Sequence, residues 1–289
     1  MAYLHIPNLY QDQRVLDFKH VYALEKIHGT SAHIRWKDGA VSFFAGGAKH
    51  AEFLALFNAT DLADRFAAMG AEDVTLFGEA YGGKMQGMRD TYGPDLKFIV
   101  FDVRIGDCWL AVPQMADVAK SMGMDVVEWQ LVDATLLWLN PLRDAPSAIA
   151  RHLDLGDKPR EGIVIRPPFE VTANNGARII AKHKAEAFAE TKTPRGVTPD
   201  ELQVLANANA IADEWVTEMR LTHVLDKLGA TSIEQTGSVI AAMIEDVERE
   251  AAPEIIASPK ARKAIGRAAA LMFKRRLQAS LADAAKEPT

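Results

Sequence analysis

The chain has 289 residues, a formal net charge of −6, 48% hydrophobic residues and 25% charged residues. That balance excludes a disordered polymer, and no apolar run approaches the ~20 residues needed to span a bilayer. The single cysteine, Cys108, excludes an internal disulfide and a multi-cysteine zinc site. The acidic balance speaks against a chain that is basic all over, so a polyanionic partner would have to be met by a local patch. Met1-Ala2-Tyr3-Leu4-His5 has no basic stretch followed by an apolar core, so no export signal is read. One cysteine fits a reducing cytoplasm.

Taken in chain order, the first 190 residues read as mixed strand and short helix. Val21 to Leu24 is strand-like. Ala32 to Trp36 and Ala40 to Phe44 flank Lys37-Asp38-Gly39, and Asp-Gly between two such runs signals a hairpin. Apolar residues at helical spacing predict one helix from Ala51 to Met69, with Gly70 as its C-cap. Strands are predicted at Val74 to Phe77, Phe98 to Val103 and Trp109 to Val112. Pro113 to Met122 reads as a helix stopped by Gly123. Gly162 to Arg166 and Arg178 to Lys184 read as strands, the second after the turn-prone Asn174-Asn175-Gly176. Lys192-Thr193-Pro194-Arg195-Gly196 looks like a linker. Beyond it the chain is rich in Ala, Leu and Glu, and three helices are predicted at about Pro199–Leu228, Ser232–Glu250 and Ser258–Ala285. This divides the chain into domains at 1–192 and 197–289.

The chemistry begins at Glu25-Lys26-Ile27-His28-Gly29-Thr30. Alone, a lysine three residues before Gly-Thr is common enough to arise by chance in about one chain in ten of this size. Four further segments follow it: Phe77-Gly78-Glu79-Ala80-Tyr81-Gly82, Phe98-Ile99-Val100-Phe101-Asp102-Val103, Glu161-Gly162-Ile163-Val164-Ile165 and Ile180-Ala181-Lys182-His183-Lys184. Over residues 20–190 the sequence resembles the covalent nucleotidyltransferase superfamily of polynucleotide ligases and capping enzymes, whose five motifs stand in this order. His28 with Gly29-Thr30 is similar to the RNA ligase 2 family of phages and their relatives; DNA ligases and capping enzymes more often carry Asp where His28 stands.

The resemblance implies three steps. Lys26 attacks the α-phosphate of ATP and expels pyrophosphate. The AMP passes to a 5′-phosphate on RNA, and a 3′-hydroxyl then displaces it. A lysine nucleophile must be neutral, and an ordinary lysine is only roughly 0.04% neutral at pH 7. Neighbouring cations favour the neutral form, and Lys182, Lys184 and a bound Mg2+ (or Mn2+) are expected to supply them. Glu161 is the implied metal ligand, Glu79 the ribose contact and Phe101 the adenine stack. His28 is expected near the departing pyrophosphate, and the backbone around Glu25 and Gly29 against the nucleotide.

The sequence departs from the family after the second strand of the hairpin. An arginine used on phosphates is usual there, but this chain reads Phe44-Ala45-Gly46-Gly47-Ala48-Lys49-His50. Lys49 is the candidate substitute, without arginine's bidentate fork. Ser31 also stands where Asn is commoner.

Toward the C-terminus, Ser258 to Ser280 carries seven basic residues and no acidic one. Lys260, Lys263, Arg267 and Lys274 share one helical stripe opposite Ile265, Ala269, Met272 and Phe273, a candidate phosphate-binding face.

The expectation is therefore an α+β protein: a nucleotidyltransferase domain with ATP-grasp-like antiparallel sheets, then an all-helical C-terminal domain. The helices after Pro199 argue against a following OB barrel, and the 25 residues before Lys26 leave little room for one ahead. The function expected is ATP-dependent RNA ligation in RNA repair. It would join 5′-phosphate and 3′-hydroxyl ends, in a nicked duplex among other settings, by a monomer away from membranes. Its place would be the cytoplasm, the host's if phage-encoded. The alternatives are a DNA ligase, a capping-type guanylyltransferase, or a nucleotide- or RNA-binding relative without turnover.

Overall fold

The computed structural model describes residues 3–193, 195–197, 204–230 and 232–284. It divides the chain into two compact units, Met1–Ala187 and Phe188–Thr289. Pro194 of the expected linker, the start of the expected helix at Pro199 and Ala285 at the end of the last one lie outside the described residues, as do Met1 and Ala2.

Among the described residues the first unit holds nine strands in two antiparallel sheets. They are β1 (His20–Lys26), β2 (Thr30–Lys37), β3 (Ala40–Phe44), β4 (Asp73–Gly82), β5 (Leu96–Ile105), β6 (Cys108–Trp109), β7 (Trp129–Asp133), β8 (Gly162–Arg166) and β9 (Ala181–Lys184). One sheet has the order β7-β1-β8-β9 and the other β3-β2-β4-β5-β6. The hairpin at Lys37–Ala40 forms as expected, with Asp38 and Gly39 both at positive φ. Among the described residues this unit also has helices α1 (His50–Leu54), α2 (Ala59–Met69), α3 (Arg89–Tyr92), α4 (Val112–Ser121), α5 (Leu136–Asp144) and α6 (Ala148–His152). Leu62, Phe66, Val112, Met115 and Ala119 from α2 and α4 pack with Ile34, Val74, Leu76 and Val103 of the five-stranded sheet to make the main core.

Three expectations for this unit need correction. The single helix at 51–69 is two, because Asn58 accepts bonds from the backbone N–H of Thr60 and Asp61 and starts a fresh helix; this is the preference of a short polar side chain for an N-cap. The strand at Trp109–Val112 ends at Trp109, since Val112 and Pro113 open α4. Of Arg178–Lys184 only Ala181–Lys184 is strand; Arg178 makes an isolated bridge to Thr172. Strand β7 and helix α5 were not anticipated at all.

In the second unit the predicted first helix is α7 (Ala208–Trp215) and α8 (Glu218–Leu228), separated where the Thr217 side chain accepts from the Arg220 N–H. Helices α9 (Thr236–Glu250) and α10 (Pro259–Ala284) follow. Trp215, Leu221, Val239, Met243, Val247, Ile265, Ala269 and Phe273 form its own core. Arg220, fully buried there, is paired with Asp246 and Glu190. No helix among the described residues is long and apolar enough to cross a membrane.

Candidate active site

The two sheets are joined where β1 of one runs into β2 of the other through Ile27-His28-Gly29. Gly29 makes this junction possible: a Cβ there would stand 2.3 Å from the Ala80 carbonyl oxygen on β4. The segment 125–128 ties the sheets a second time. The Val100 N–H donates to the Asp125 carbonyl at 2.8 Å and the Val127 N–H to Val100 at 3.0 Å. The Glu25 N–H then donates to the Glu128 carbonyl at 2.8 Å.

Register now decides which side chains meet. Lys26 pairs with Gly162 and Gly162 with Lys184, so the three lie in one row across β1, β8 and β9. Glu161 precedes that row by one residue. Its carboxylate receives Lys26 Nζ at 2.9 Å and His28 Nδ1 at 3.1 Å on Oε2, and Lys184 Nζ at 3.0 Å on Oε1. His28 and Glu161 are buried while Lys26 remains partly open to solvent. Burial alone would push the Glu161 carboxyl upward, but Lys26, Lys184 and His28 outweigh it and hold the group well below the usual carboxylate range. Glu79, on β4, borders the same cluster and accepts from the Gly29 N–H. Burial pushes its carboxyl up to about 8, against the attraction of Lys26 and with the repulsion of Glu161. The two carboxylates thus differ sharply in proton affinity. Lys182 is buried two residues back on β9, with its backbone N–H bonded to the Pro7 carbonyl and its carbonyl to the Leu9 N–H, both at 2.8 Å. The chain before β1 therefore forms an outer rung beside β9.

The other predicted residues fall elsewhere. The Glu25 side chain lies on the opposite face of β1. It accepts from Ser147 Oγ at 2.6 Å and from the Ala148 N–H at 2.9 Å, with Arg160 at 3.6 Å, so it anchors the start of α6. Lys49 is not brought to the cluster. Its side chain is 81% exposed and paired with Glu52 at 2.7 Å. Beside it, Gly47 docks by its N–H on Thr30 Oγ1 at 2.8 Å. Phe101 occupies a β-bulge opposite Phe77 and Gly78 and is half-buried, edge-on to Tyr3 with ring centroids 4.9 Å apart.

Sequence reading missed what surrounds Phe101. Asp102, fully buried, receives Arg166 at 3.0 Å, Arg178 at 2.6 Å and the Tyr3 hydroxyl at 2.6 Å. Arg178 also lies over the Trp109 ring at 4.2 Å, and Glu170 accepts from both arginines. The Tyr92 hydroxyl meets the His28 N–H at 3.3 Å. A signal did exist: Asp102 and Arg166 are ionisable residues set in apolar strands, and such groups are buried only when paired.

Comparison with known proteins bears on the sheet unit. A family model described as RNA ligase matches residues 19–184. Among solved structures, an RNA ligase of Naegleria gruberi with PPi is 14% identical, with a TM-score of 0.51. Mutants of that ligase with AMP and Mn, and with ATP and Mn, are each 13% identical at the same TM-score. In each case 65% of this chain covers 57% of that one, so the chain spans little more than half the length of those relatives. At this identity the likeness is one of fold. None of the curated proteins matches the chain.

Proposed function

The chain belongs to the RNA ligase family, and from that premise we propose that it is an ATP-dependent RNA ligase with Lys26 as its nucleophile. The observation that carries this reading is the convergence of Lys26, His28 and Lys184 on the single buried carboxylate of Glu161. A solvent-reaching amine held among cations at a sheet junction suits attack on a polyphosphate.

In this reading the contact of Lys26 with Glu161 opens, and the neutral amine attacks the α-phosphorus of ATP. The nitrogen gives up its ammonium proton to solvent before attack, and a second proton as the nitrogen–phosphorus bond forms and the bond to the bridging oxygen breaks; pyrophosphate leaves past His28. Lys182 and Lys184 offset negative charge gathering on the phosphoryl oxygens. Glu79 meets the ribose hydroxyls, Phe101 stacks on adenine, and the Gly29 backbone allows the nucleotide close approach. AMP then passes to a 5′-phosphate, and the RNA 3′-hydroxyl displaces it. These roles fall to residues 1–192, with 197–289 a separate helical domain, in a monomer acting in the cytoplasm.

The residues present fit a divalent cation. A hard ion prefers oxygen and takes only one or two ligands from protein beside phosphates, and Glu161 offers an ionised carboxylate there. Glu161 would hold magnesium or manganese, which when bound neutralises phosphate charge.

The test is intact-mass measurement after incubation with ATP and Mg2+. One AMP adduct is expected on the parent chain and none on Lys26→Ala. A parent without adduct, or one labelled by GTP in place of ATP, sinks the reading.

A further inference from the structure

The helical unit lies beyond the segment matched by the family model, and the chemistry above makes no use of it. Its last helix carries a one-sided charge. From Ser258 to Ser280 there are seven basic residues and no acidic one. Helix α10 buries Ala261, Ile265, Ala269 and Phe273 in the core of its unit. On the other side Lys260, Lys263, Arg267 and Lys274 are all exposed. At 100° and 1.5 Å per residue they form a stripe about 60° wide and about 21 Å long.

Two observations separate this stripe from an ordinary solvated face. The first is pairing. Two cations elsewhere on the helix are partnered: Arg262 donates to both oxygens of Glu248 at 2.7 and 2.8 Å, and Arg276 donates to Thr222 at 2.7 Å with Glu218 at 3.9 Å. Among the described residues, Lys260, Lys263, Arg267 and Lys274 have no acidic partner. The second is position. A helix N-terminus is the positive end of the helix dipole, where acids stabilise and cations do the reverse. Helices α2 and α8 follow this rule with Asp61 and Glu218 in their first turns. Helix α10 has no acid there and opens with Lys260, Arg262 and Lys263. Stability alone disfavours that arrangement, which concentrates positive potential at one end of the stripe.

We propose that this stripe is a docking track for the phosphate backbone of the RNA being sealed, an inference that deepens the ligase reading and rests on it. Cations in such a row neutralise successive phosphates without reading bases, and release condensed counterions as they do. Other polyanionic surfaces fit less well. A helix lying on a membrane needs a free apolar face, but here Ile265, Ala269 and Phe273 are packed in the core. An acidic protein partner calls for aromatic anchors at the centre of the patch, and the stripe carries only Leu271.

The test uses the full chain with Lys263→Glu and Arg267→Glu together. Affinity for a fluorescent 5′-phosphorylated RNA is expected to fall at least ten-fold at low salt. The slope of log affinity against log salt should become shallower by about 1.5. Sealing falls in parallel, while enzyme–AMP formation stays within two-fold of the parent. Tm holds or rises, because Lys263→Glu places an acid at the positive helix end. The charge-conserving pair Lys263→Arg and Arg267→Lys should bind RNA as the parent does. Unchanged affinity and salt slope in the Glu variant overturns the proposal, and so does a matching loss in the charge-conserving variant. Binding to phosphatidylserine vesicles with no binding to RNA overturns it in favour of a membrane surface. A parent that binds RNA through the stripe yet forms no enzyme–AMP refutes the ligase reading and leaves the track standing.

Discussion

The site of the sheet unit and the last helix of the helical unit treat positive charge in opposite ways. In the sheet unit Lys26, His28 and Lys184 share Glu161, and Arg166 and Arg178 share Asp102. In the helical unit the α10 stripe stands in solvent without acidic partners among the described residues. Burial explains the difference. A charge removed from water costs several kcal/mol unless it is matched, so each buried cation fixes the place of a carboxylate. A solvated charge carries no such obligation and stays available for a ligand.

That contrast can be broken most forcefully at Glu161. Glu161→Ala leaves three basic groups without their common acceptor, and enzyme–AMP formation should fall by roughly 100-fold or more. An unchanged rate of AMP adduct formation, read by intact mass, would move the centre of the site elsewhere. Next in size is Gly162→Ala. At φ +145° an added Cβ would stand 2.2 Å from the His183 carbonyl oxygen. A stability loss of about 3 kcal/mol is expected from a conformation so poorly suited to a side chain, measured by urea unfolding. A loss under about 0.5 kcal/mol would mean that β8 and β9 are looser than the row implies.

A smaller effect concerns pH. Burial raises the Glu79 carboxyl in the folded chain to about 8 from an ordinary value of 4.5. Between those limits the folded state holds a proton that the unfolded state has released, so this group's contribution to stability falls as pH rises from 4.5 to 8. Glu79→Gln should flatten that decline in Tm measured across the window; an identical profile in both proteins counts against it. The smallest effect is assigned to Lys49→Ala. An exposed pair such as Lys49–Glu52 contributes little, and neither Tm nor enzyme–AMP yield should change measurably. A clear drop in adduct would place Lys49 at the phosphates after all.

Much of the site was legible because its residues sit in short segments of recognisable order. Lys26, His28, Glu161 and Lys184 were named from sequence and meet within 3.1 Å. The Asp102 network was not found, since its partners lie 64, 76 and 99 positions away and no local pattern encodes such pairing. The Glu25 side chain was hidden for another reason. Neighbours on a strand face opposite ways, so standing beside the nucleophile puts it on the other side of the sheet. Strand β7 escaped because it is an edge strand with Leu131 51% exposed, which blurs the alternation that marks a half-buried strand. Helix α5 escaped because Pro141 lies inside it, and proline ordinarily ends a helical reading. Helix α10 was the easiest element to read, since its periodicity is local.

The row Lys26–Gly162–Lys184 also acts as a check on assembly. Strand pairing admits only whole-residue errors, and a slip of one residue by β9 exchanges its two faces. Such a slip would turn His183 toward Glu161 and drive Lys182 and Lys184 to the face where Glu25 is anchored. No partly correct site lies between the two registers. A misregistered chain would lose its chemistry and bury unmatched charge at the same moment, so errors in folding this sheet would surface as unstable protein rather than as a slow enzyme.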